Sequence, residues 1–327
     1  MIYVITGGAG FIGSHLVERL IKNKKNKVIV IDNFSTGNKD NIKNFINDIE
    51  LIKADIANIS PKWQNAILKA DYIFHFAALA DIVPSIENPQ DYYRSNVSGT
   101  FNLIKCCLNN KKLKKIVYSA SSSCYGIPKI YPTPENAEIN TLYPYALTKY
   151  LAEQLIFSMC KIYKIPFISL RFFNVYGPRS RTSGTYGAVF GVFLAQKIAK
   201  KPFTVVGDGN QTRDFTYVTD VIDASIMSAK SKHKNLIINI GSGKTIKINY
   251  LIKLIGGKKI NIPKRPGEPD CTWADIKKAN KILKWKPKIS IEEGVAQLLK
   301  NLDYWNKAPV WTKKSISKAT KSWFKYL

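Results

Sequence analysis

The chain has 327 residues, 45% of them hydrophobic, and a formal net charge of +27. This length and apolar content predict a packed globular protein of two lobes or two domains. The basic residues are scattered in short groups, such as 22–27 and 111–115. A nucleic-acid binder would concentrate them on one face. We therefore expect no nucleic-acid partner, and a surface whose field favours anionic small molecules.

The cysteines and the apolar runs bear on the redox state of the thiols, on metal binding and on the cellular location. The five cysteines form no CxxC pair and share no metal-ligand spacing with the three histidines. We expect reduced thiols, a cytoplasmic location and no metal. The first predicted strand begins at residue 2, which leaves no room for a signal peptide. No apolar run approaches the about 18 residues of a membrane span.

The first 170 residues alternate short apolar runs with longer helical patterns. The predicted strands are 2–6, 27–32, 50–54, 71–76, 114–119 and 166–171. The predicted helices lie near 13–22, 61–69, 89–109 and 144–163. The strand runs are continuous rather than alternating, as expected for strands buried on both faces. This order predicts an α/β fold with a doubly wound parallel sheet.

The pattern changes after about residue 175, where helices and short strands mix with loops rich in Gly and Pro. This change predicts a smaller mixed α/β C-terminal lobe that completes a cleft and binds the substrate. Two domains are expected, each made of two stretches: residues 1–174 with 210–240, and residues 175–209 with 241–327.

A glycine-rich turn, TGGAGFIGSHL, joins the first strand to the first helix. Gly7 permits the tight turn, Gly10 lets the backbone approach a pyrophosphate, and Gly13 lets the helix pack near the sheet. The helix N-terminus favours the phosphates. Asp32 ends the next strand, where it can accept from both ribose hydroxyls and repel a 2′-phosphate. The turn therefore predicts a Rossmann-type domain that binds NAD rather than NADP.

A second group of residues is suited to acid–base chemistry. Tyr145 and Lys149 are four residues apart and share one face of a predicted helix. An ammonium beside the phenol, together with a positive nicotinamide, lowers the pKa of Tyr145. The phenolate can then take a hydroxyl proton while a hydride leaves the same carbon. Ser121 is expected just after the fifth strand, at the ligand-binding edge of the sheet, where it can hydrogen-bond the reacting oxygen.

These motifs, with VIDN, FHFAALA, SNVSGT, LRFFNVYGPR, GDGNQTRDFTYVTDV and RPGEPD, resemble those of the extended short-chain dehydrogenases/reductases, specifically the nucleotide-sugar epimerase/dehydratase family. The resemblance covers essentially the full length. It implies that Asp55 lies near the adenine and Phe172 beside the nicotinamide. It implies that NAD contacts Gly7, Gly10, Phe11, Ile12, Gly13, Asp32, Asn33, Asp55, Ile56, Phe76, Ala77, Ala78, Asn96, Ser119, Tyr145, Lys149 and Phe172.

The same resemblance implies the substrate site. Asn174, Arg213 and Arg265 would hold the nucleotide diphosphate, since planar guanidinium groups suit phosphates. Glu268 would bind the nucleotide ribose. The implied substrate contacts are Ser121, Ser122, Ser123, Tyr145, Asn174, Arg181, Arg213, Arg265, Glu268 and Thr272.

Differences within the family narrow the reaction. The 4,6-dehydratases carry an Asp-Glu pair where this chain has Ser122 and Ser123, and the decarboxylases carry a glutamate at Ser123. Cys124 is one residue from the position of the cysteine in 3,5-epimerases, so we expect it in the core. The motifs are closest to those of UDP-glucose and UDP-N-acetylglucosamine 4-epimerases. The chain is thus expected to be an isomerase with tightly bound NAD. In this mechanism a 4-keto sugar rotates between two hydride transfers, so that the hydride returns to its opposite face.

Several alternatives stay open from the sequence. Thr272 aligns with a residue that gates the sugar pocket, and its small size leaves room for an N-acetyl group. Arg181 aligns with an arginine resembling the carboxylate clamp of uronate 4-epimerases, so UDP-glucuronate is an alternative substrate. A dehydratase, a decarboxylase and a non-catalytic relative that senses nucleotides or binds nucleic acid are the other candidates.

Two surface features complete the expectations. The helices at 93–109 and 144–163 resemble those of the family's four-helix dimer interface, which implies a homodimer. The segment 315–327 places Ile316, Ala319, Trp323 and Leu327 at helical spacing with lysines opposite. We expect this helix to dock on its own domain rather than lie on a membrane.

Overall fold

The computed structural model describes residues 1–180 and 189–327. The strands are β1 (Ile2–Thr6), β2 (Lys27–Asp32), β3 (Glu50–Lys53), β4 (Tyr72–His75), β5 (Lys115–Ser121), β6 (Phe167–Phe172), β7 (Val175–Tyr176), β8 (Phe203–Val206), β9 (Thr212–Arg213), β10 (Thr216–Tyr217), β11 (Leu236–Ile240), β12 (Ile246–Lys247) and β13 (Lys259–Ile262). Seven of them form one parallel sheet in the order β11-β6-β5-β4-β1-β2-β3. The expected doubly wound α/β fold is confirmed.

The helices are α1 (Phe11–Ile21), α2 (Pro61–Lys69), α3 (Ile82–Glu87), α4 (Pro89–Tyr92), α5 (Gly99–Cys107), α6 (Pro144–Ile162), α7 (Val189–Ile198), α8 (Val218–Lys230), α9 (Ile248–Ile255), α10 (Lys277–Leu283), α11 (Ile291–Lys300), α12 (Lys313–Ala319) and α13 (Lys321–Tyr326). A π-helical segment, Tyr93–Ser98, joins α4 to α5. The single helix predicted for 89–109 is therefore a continuous helical run with a π segment inside it.

The continuous apolar runs of the strands are explained by the two buried faces of the sheet. In β2, Val28 and Val30 face a core shared with Leu16 of α1. Ile29 and Ile31, which alternate with them, face the other core. Successive side chains of a strand point to opposite faces, so both alternating sets of β2 are apolar where both faces are buried. The strand order reverses between β1 and β4, and this reversal opens a crevice at the carboxyl edge.

The second lobe forms around its own apolar cluster, which includes Phe193, Leu251 and Trp305. Two short strand pairs support it, β8 with β13 and β9 with β12. The chain returns to the large sheet between these elements, because β11 pairs in parallel with β6. The lobes are thus interleaved in sequence, and the cleft lies where they meet.

The C-terminal segment differs from the single helix expected for it. It forms two short helices, α12 and α13, which meet at Thr320. Ile316 and Trp323 are buried, whereas Leu327 is 38% exposed. The segment docks on its own chain. Across residues 1–180 and 189–327, no helix combines the length and apolarity needed to cross a membrane.

Candidate functional site

Two adjoining cavities lie at the carboxyl edge of the sheet, with volumes of about 360 Å³ and 560 Å³. They share several wall residues, among them Phe76, Ser119 and Phe190. Most of the residues expected to contact NAD line the smaller cavity: Gly7, Gly10, Phe11, Ile12, Gly13, Asp32, Asn33, Asp55, Ile56, Phe76, Ala77, Ala78 and Ser119. Tyr145, Lys149 and Phe172 line the larger one. The two cavities therefore adjoin across a shared wall.

The glycine turn leaves the floor of the smaller cavity bare. Gly7 has a φ of +72°, and a Cβ at Gly13 would overlap the carbonyl oxygen of Gly7. A Cβ at Gly10 would have the Gly7 oxygen, at 3.1 Å, as its nearest described neighbour. Gly10 precedes α1, so a side chain there would fill the space at the helix N-terminus. This bare floor fits a pyrophosphate, which the helix dipole stabilises.

Asp32 is held rigidly at the end of β2. Its carboxylate accepts from the Ala9 N–H at 2.9 Å and the Phe34 N–H at 2.8 Å. Burial raises its pKa, against those two hydrogen bonds. The backbone therefore orients this acceptor toward the cavity. Asp55, which follows the neighbouring strand β3 and also lines the cavity, forms an ion pair with Arg94 at 2.7 Å.

Asn96 is placed differently from the sequence expectation. It is 1% exposed and is not among the described residues that line either cavity. Its amide accepts from the Leu79 N–H at 2.8 Å and donates to the Leu79 carbonyl and to Thr148. Because Leu79 directly follows the wall residues Ala77 and Ala78, Asn96 positions the wall from behind.

The proposed acid–base group lies in the larger cavity. The Tyr145 hydroxyl donates to Oγ of Ser121 at 3.2 Å, and Ser121 shares a 2.6 Å hydrogen bond with Ser123. Ser121 is the last residue of β5 rather than the residue after it. Burial raises the pKa of Tyr145, opposed by hydrogen bonds with Ser121 and Ser123. The expected lowering of this pKa depends on the positive nicotinamide as well as on Lys149, so it stays a prediction for the NAD-bound protein.

Lys149 is buried in the same wall, one turn along α6. Its Nζ lies 4.4 Å from the centre of the Tyr118 ring. Burial lowers its pKa to about 7, and the nearby Glu153 opposes that shift. Glu153 is itself bound to Arg171 in a buried ion pair at 2.6 Å. At neutral pH Lys149 is therefore only partly protonated, and a negative charge placed beside it would favour its ammonium form.

Two arginines lie at the far end of the larger cavity and share one carboxylate. Glu268 Oε1 accepts from Arg213 at 2.9 Å, and its Oε2 lies 3.6 Å from Arg265. Glu268 Oε2 is buried and makes no hydrogen bond among the described residues. Two guanidinium groups therefore line this end of the cavity close to each other. Such a group suits a diphosphate.

Thr272 and Asn174 lie together beside these arginines. The Thr272 hydroxyl donates to Oδ1 of Asn174 at 2.7 Å and accepts from the Asp214 N–H at 3.1 Å. Both residues line the larger cavity, as do Ser122 and Ser123. Arg181, the expected uronate clamp, lies outside the described residues. Cys124 is 2% exposed and packs in a core cluster.

Several residues in the cleft or next to it carry no signal in the sequence analysis. Tyr143 precedes α6, and its ring stacks on Tyr145 with centroids 6.3 Å apart. Asp81 lines both cavities and contributes to the raised pKa of Tyr145. Asp214 is buried, and its carboxylate binds the backbone N–H groups of 242, 243 and 274. Tyr143 could have been noticed two residues before the motif tyrosine, whereas Asp214 depends on loops distant in sequence.

Comparisons with known proteins agree with this geometry. A family profile described as "NAD dependent epimerase/dehydratase family" matches residues 3–241. The structure of a UDP-N-acetylglucosamine 4-epimerase from Methanobrevibacter ruminantium, in complex with UDP-N-acetylmuramic acid, superposes with a TM-score of 0.85 at 33% identity, covering 91% of this chain and 98% of that one.

Two further structures are similar to the same extent. A UDP-glucose 4-epimerase from Thermotoga maritima, with UDP-glucose, gives a TM-score of 0.84 at 30% identity and covers 94% of this chain and 99% of its own. A UDP-glucuronic acid 4-epimerase from Bacillus cereus, with UDP-glucuronic acid and NAD, gives 0.85 at 33% identity with the same two coverages. The three neighbours differ in their sugars and agree in the fold.

Proposed function

Because this chain belongs to the NAD-dependent epimerase/dehydratase family, with NAD as its cofactor, we propose that it inverts C4 of a UDP-sugar through a transient 4-keto intermediate. The proposed substrates are UDP-glucose/UDP-galactose or UDP-N-acetylglucosamine/UDP-N-acetylgalactosamine. One observation carries the proposal: the Tyr145 hydroxyl is hydrogen-bonded to Ser121 in a cavity that adjoins the one suited to NAD.

The chain's own residues supply acid–base catalysis and positioning. NAD, when bound, supplies a positive ring that accepts and later returns the C4 hydride. Tyr145 removes the proton from the sugar O4 and later returns it, while Ser121 holds that oxygen. Lys149 supports the tyrosinate by its charge. Arg213 and Arg265 hold the diphosphate in place while the 4-keto sugar rotates to present its opposite face.

The serines after β5 favour epimerisation over the other family reactions. Ser122 and Ser123 line the cavity. The 4,6-dehydratases of the family carry an Asp-Glu pair at these two positions. A serine hydroxyl is a far weaker acid and base than a carboxyl, so it cannot relay the proton that loss of water requires. UDP-glucuronate is the second candidate, supported by a Bacillus cereus relative as similar as the N-acetylglucosamine enzyme.

A panel of UDP-glucose, UDP-N-acetylglucosamine and UDP-glucuronate tests the proposal by mass spectrometry and NMR. The expected product has the substrate's mass and an inverted C4. Loss of water would identify a dehydratase, and loss of carbon dioxide a decarboxylase. No conversion of any of the three, in protein that contains NAD, would overturn the proposed function.

We also propose a homodimer formed through α5 and α6. Apolar side chains remain exposed on or next to these helices: Tyr93, Phe101, Leu108, Leu147 and Ile162. Light scattering of Phe101→Lys/Leu147→Lys protein should report half the mass of the parent. In this proposal residues 1–174 with 210–240 hold NAD, and residues 175–209 with 241–327 hold the nucleotide sugar. Free cysteines favour a cytoplasmic setting.

A further inference from the structure

The C-terminal helix α13 forms part of the wall of the larger cavity. Trp323, in the middle of this helix, lines the cavity together with Tyr143, Tyr145 and Arg265. It is 5% exposed. The segment that sequence analysis treats as a docking helix therefore reaches the proposed active site.

Contacts of Trp323 and of its neighbour Ser322 hold the indole in place. Its indole Nε1 donates to the carbonyl oxygen of Pro266 at 2.7 Å. Its ring lies 6.5 Å from that of Tyr143, which stacks in turn on Tyr145. The neighbouring Ser322 hydroxyl donates to Glu87 of α3 at 2.8 Å. These contacts tie the C-terminus to both walls of the cleft.

The indole also contacts Arg265, one of the two arginines proposed to bind the diphosphate. The guanidinium carbon of Arg265 lies 5.2 Å from the centre of the Trp323 ring, within cation–π distance. Arg265 has only 11% of its side chain exposed, and its carboxylate partner Glu268 is shared with Arg213. A long arginine side chain loses conformational freedom when it must meet a ligand. A ring that holds the guanidinium beforehand reduces that loss.

We propose that Trp323 is a positioning residue for substrate binding, which holds Arg265 and the Pro266 loop in place for the diphosphate of the nucleotide sugar. This inference rests on the proposed function, because it takes the diphosphate as the ligand of Arg265. It assigns the C-terminal helix to the substrate site. Trp323 itself acts through Arg265 and takes no part in proton transfer.

Calorimetric titration with UDP, together with steady-state kinetics on the sugar that the panel identifies, tests this role. Trp323→Ala should weaken UDP binding about tenfold, which lies between the sizes of an exposed and a fully desolvated cation–π contact. KM should rise by a similar factor while kcat stays near the parent value, because the lost interaction holds ground state and transition state alike. NAD content should be unchanged. Trp323→Phe keeps a ring face for Arg265 and should recover most of the affinity.

Two further variants separate positioning from a general loss of structure. Phe324→Ala changes the next residue of α13, whose side chain is 46% exposed, and should bind UDP like the parent. In an Arg265→Met background, Trp323→Ala should cause little additional loss, because the partner through which it acts is gone. A full additional loss in that background would overturn the inference.

The remaining outcomes also bear on the role of Trp323 and on the proposed function. Unchanged UDP affinity in Trp323→Ala, or an equal loss in Phe324→Ala, would overturn the inference and leave the proposed function intact. Failure of the parent protein to bind UDP would overturn both. UDP binding without turnover of any sugar would remove the proposed function, while the Trp323 variants would still decide the role of the indole.

Discussion

The Tyr145 hydroxyl donates to Ser121 Oγ at 3.2 Å, which joins the first turn of α6 to the last residue of β5. Two distant parts of the chain thereby bring a phenol and a hydroxyl to the carboxyl edge of the sheet. Ser121 in turn bonds to Ser123 at 2.6 Å. The short chain of hydroxyls positions the phenol and opposes the rise in its pKa that burial causes, and it is the basis for the first two predictions.

Replacing Tyr145 with phenylalanine should abolish most of the turnover without emptying the cofactor cavity. The substitution keeps the ring and removes the group that exchanges the proton, so we expect kcat to fall about 100- to 10,000-fold. NAD content, measured by absorbance after denaturation, should match the parent. Tyr163→Phe is the matched control, since Tyr163 caps the same helix and is 52% exposed. A parental rate in Tyr145→Phe would refute the base assignment.

Ser121→Ala should shift the pH dependence of kcat in a defined direction. The hydrogen bond with Ser121 lowers the pKa of Tyr145, so its loss raises that pKa. Tyr145 accepts a proton in its ionised form, and a higher pKa leaves less of that form at a given pH. The rising limb of the kcat profile should therefore move to higher pH. Ser122→Ala should leave the limb where it is, and an unmoved limb in Ser121→Ala contradicts the hydroxyl chain.

Alanine at two glycines of the turn should separate stability from cofactor retention. In Gly13→Ala the methyl group overlaps the Gly7 carbonyl oxygen, so we expect about 1–3 kcal/mol of destabilisation from overpacking. In Gly10→Ala the added methyl group has the Gly7 oxygen, at 3.1 Å, as its nearest described neighbour, and Gly10 lines the smaller cavity. When the NAD-free proteins are compared, that variant should lose less stability than Gly13→Ala, yet it should retain less NAD than the parent. Equal midpoints for both variants would show that Gly13 is not constrained as the geometry requires.

Two substitutions at Thr272 should distinguish bulk from hydrogen bonding. Thr272→Tyr narrows the pocket, so kcat/KM should fall about 100-fold more for UDP-N-acetylglucosamine than for UDP-glucose, because a site can exclude by shape. Thr272→Val keeps the volume and loses the hydrogen bonds to Asn174 and Asp214. Its losses should be equal for the two sugars. Equal losses in Thr272→Tyr would remove Thr272 as the gate.

The sequence predicts those parts of the molecule that depend on local pattern. Continuous apolar runs predict strands buried on both faces, and the glycine turn with Asp32 predicts a dinucleotide cavity. The spacing of Tyr145 and Lys149 places both on α6, and both line one cavity. Each of these inferences needs only the geometry of one element or one strand–helix unit.

Other features depend on contacts between distant segments and could not be predicted. The raised pKa of Tyr145 comes from burial in a cavity whose walls belong to two lobes. Trp323 lies about 180 residues after Tyr143, whose ring it contacts. Amphipathic spacing identifies the buried face of its helix, but it does not identify the part of the chain that covers this face. Asn96 matches a family motif, yet its contacts with Leu79 and Thr148 become visible only in the folded chain.

The pairing of β11 with β6 has a consequence for how the protein is made. A fragment that stops near residue 174 contains every residue of the dinucleotide turn, yet it leaves the hydrogen-bonding edge of β6 bare. An open edge of this kind recruits other chains. The nascent protein cannot seal that edge until residues 236–240 have left the ribosome. Attempts to express the cofactor-binding part alone should therefore extend the fragment through Ile240, or accept aggregation.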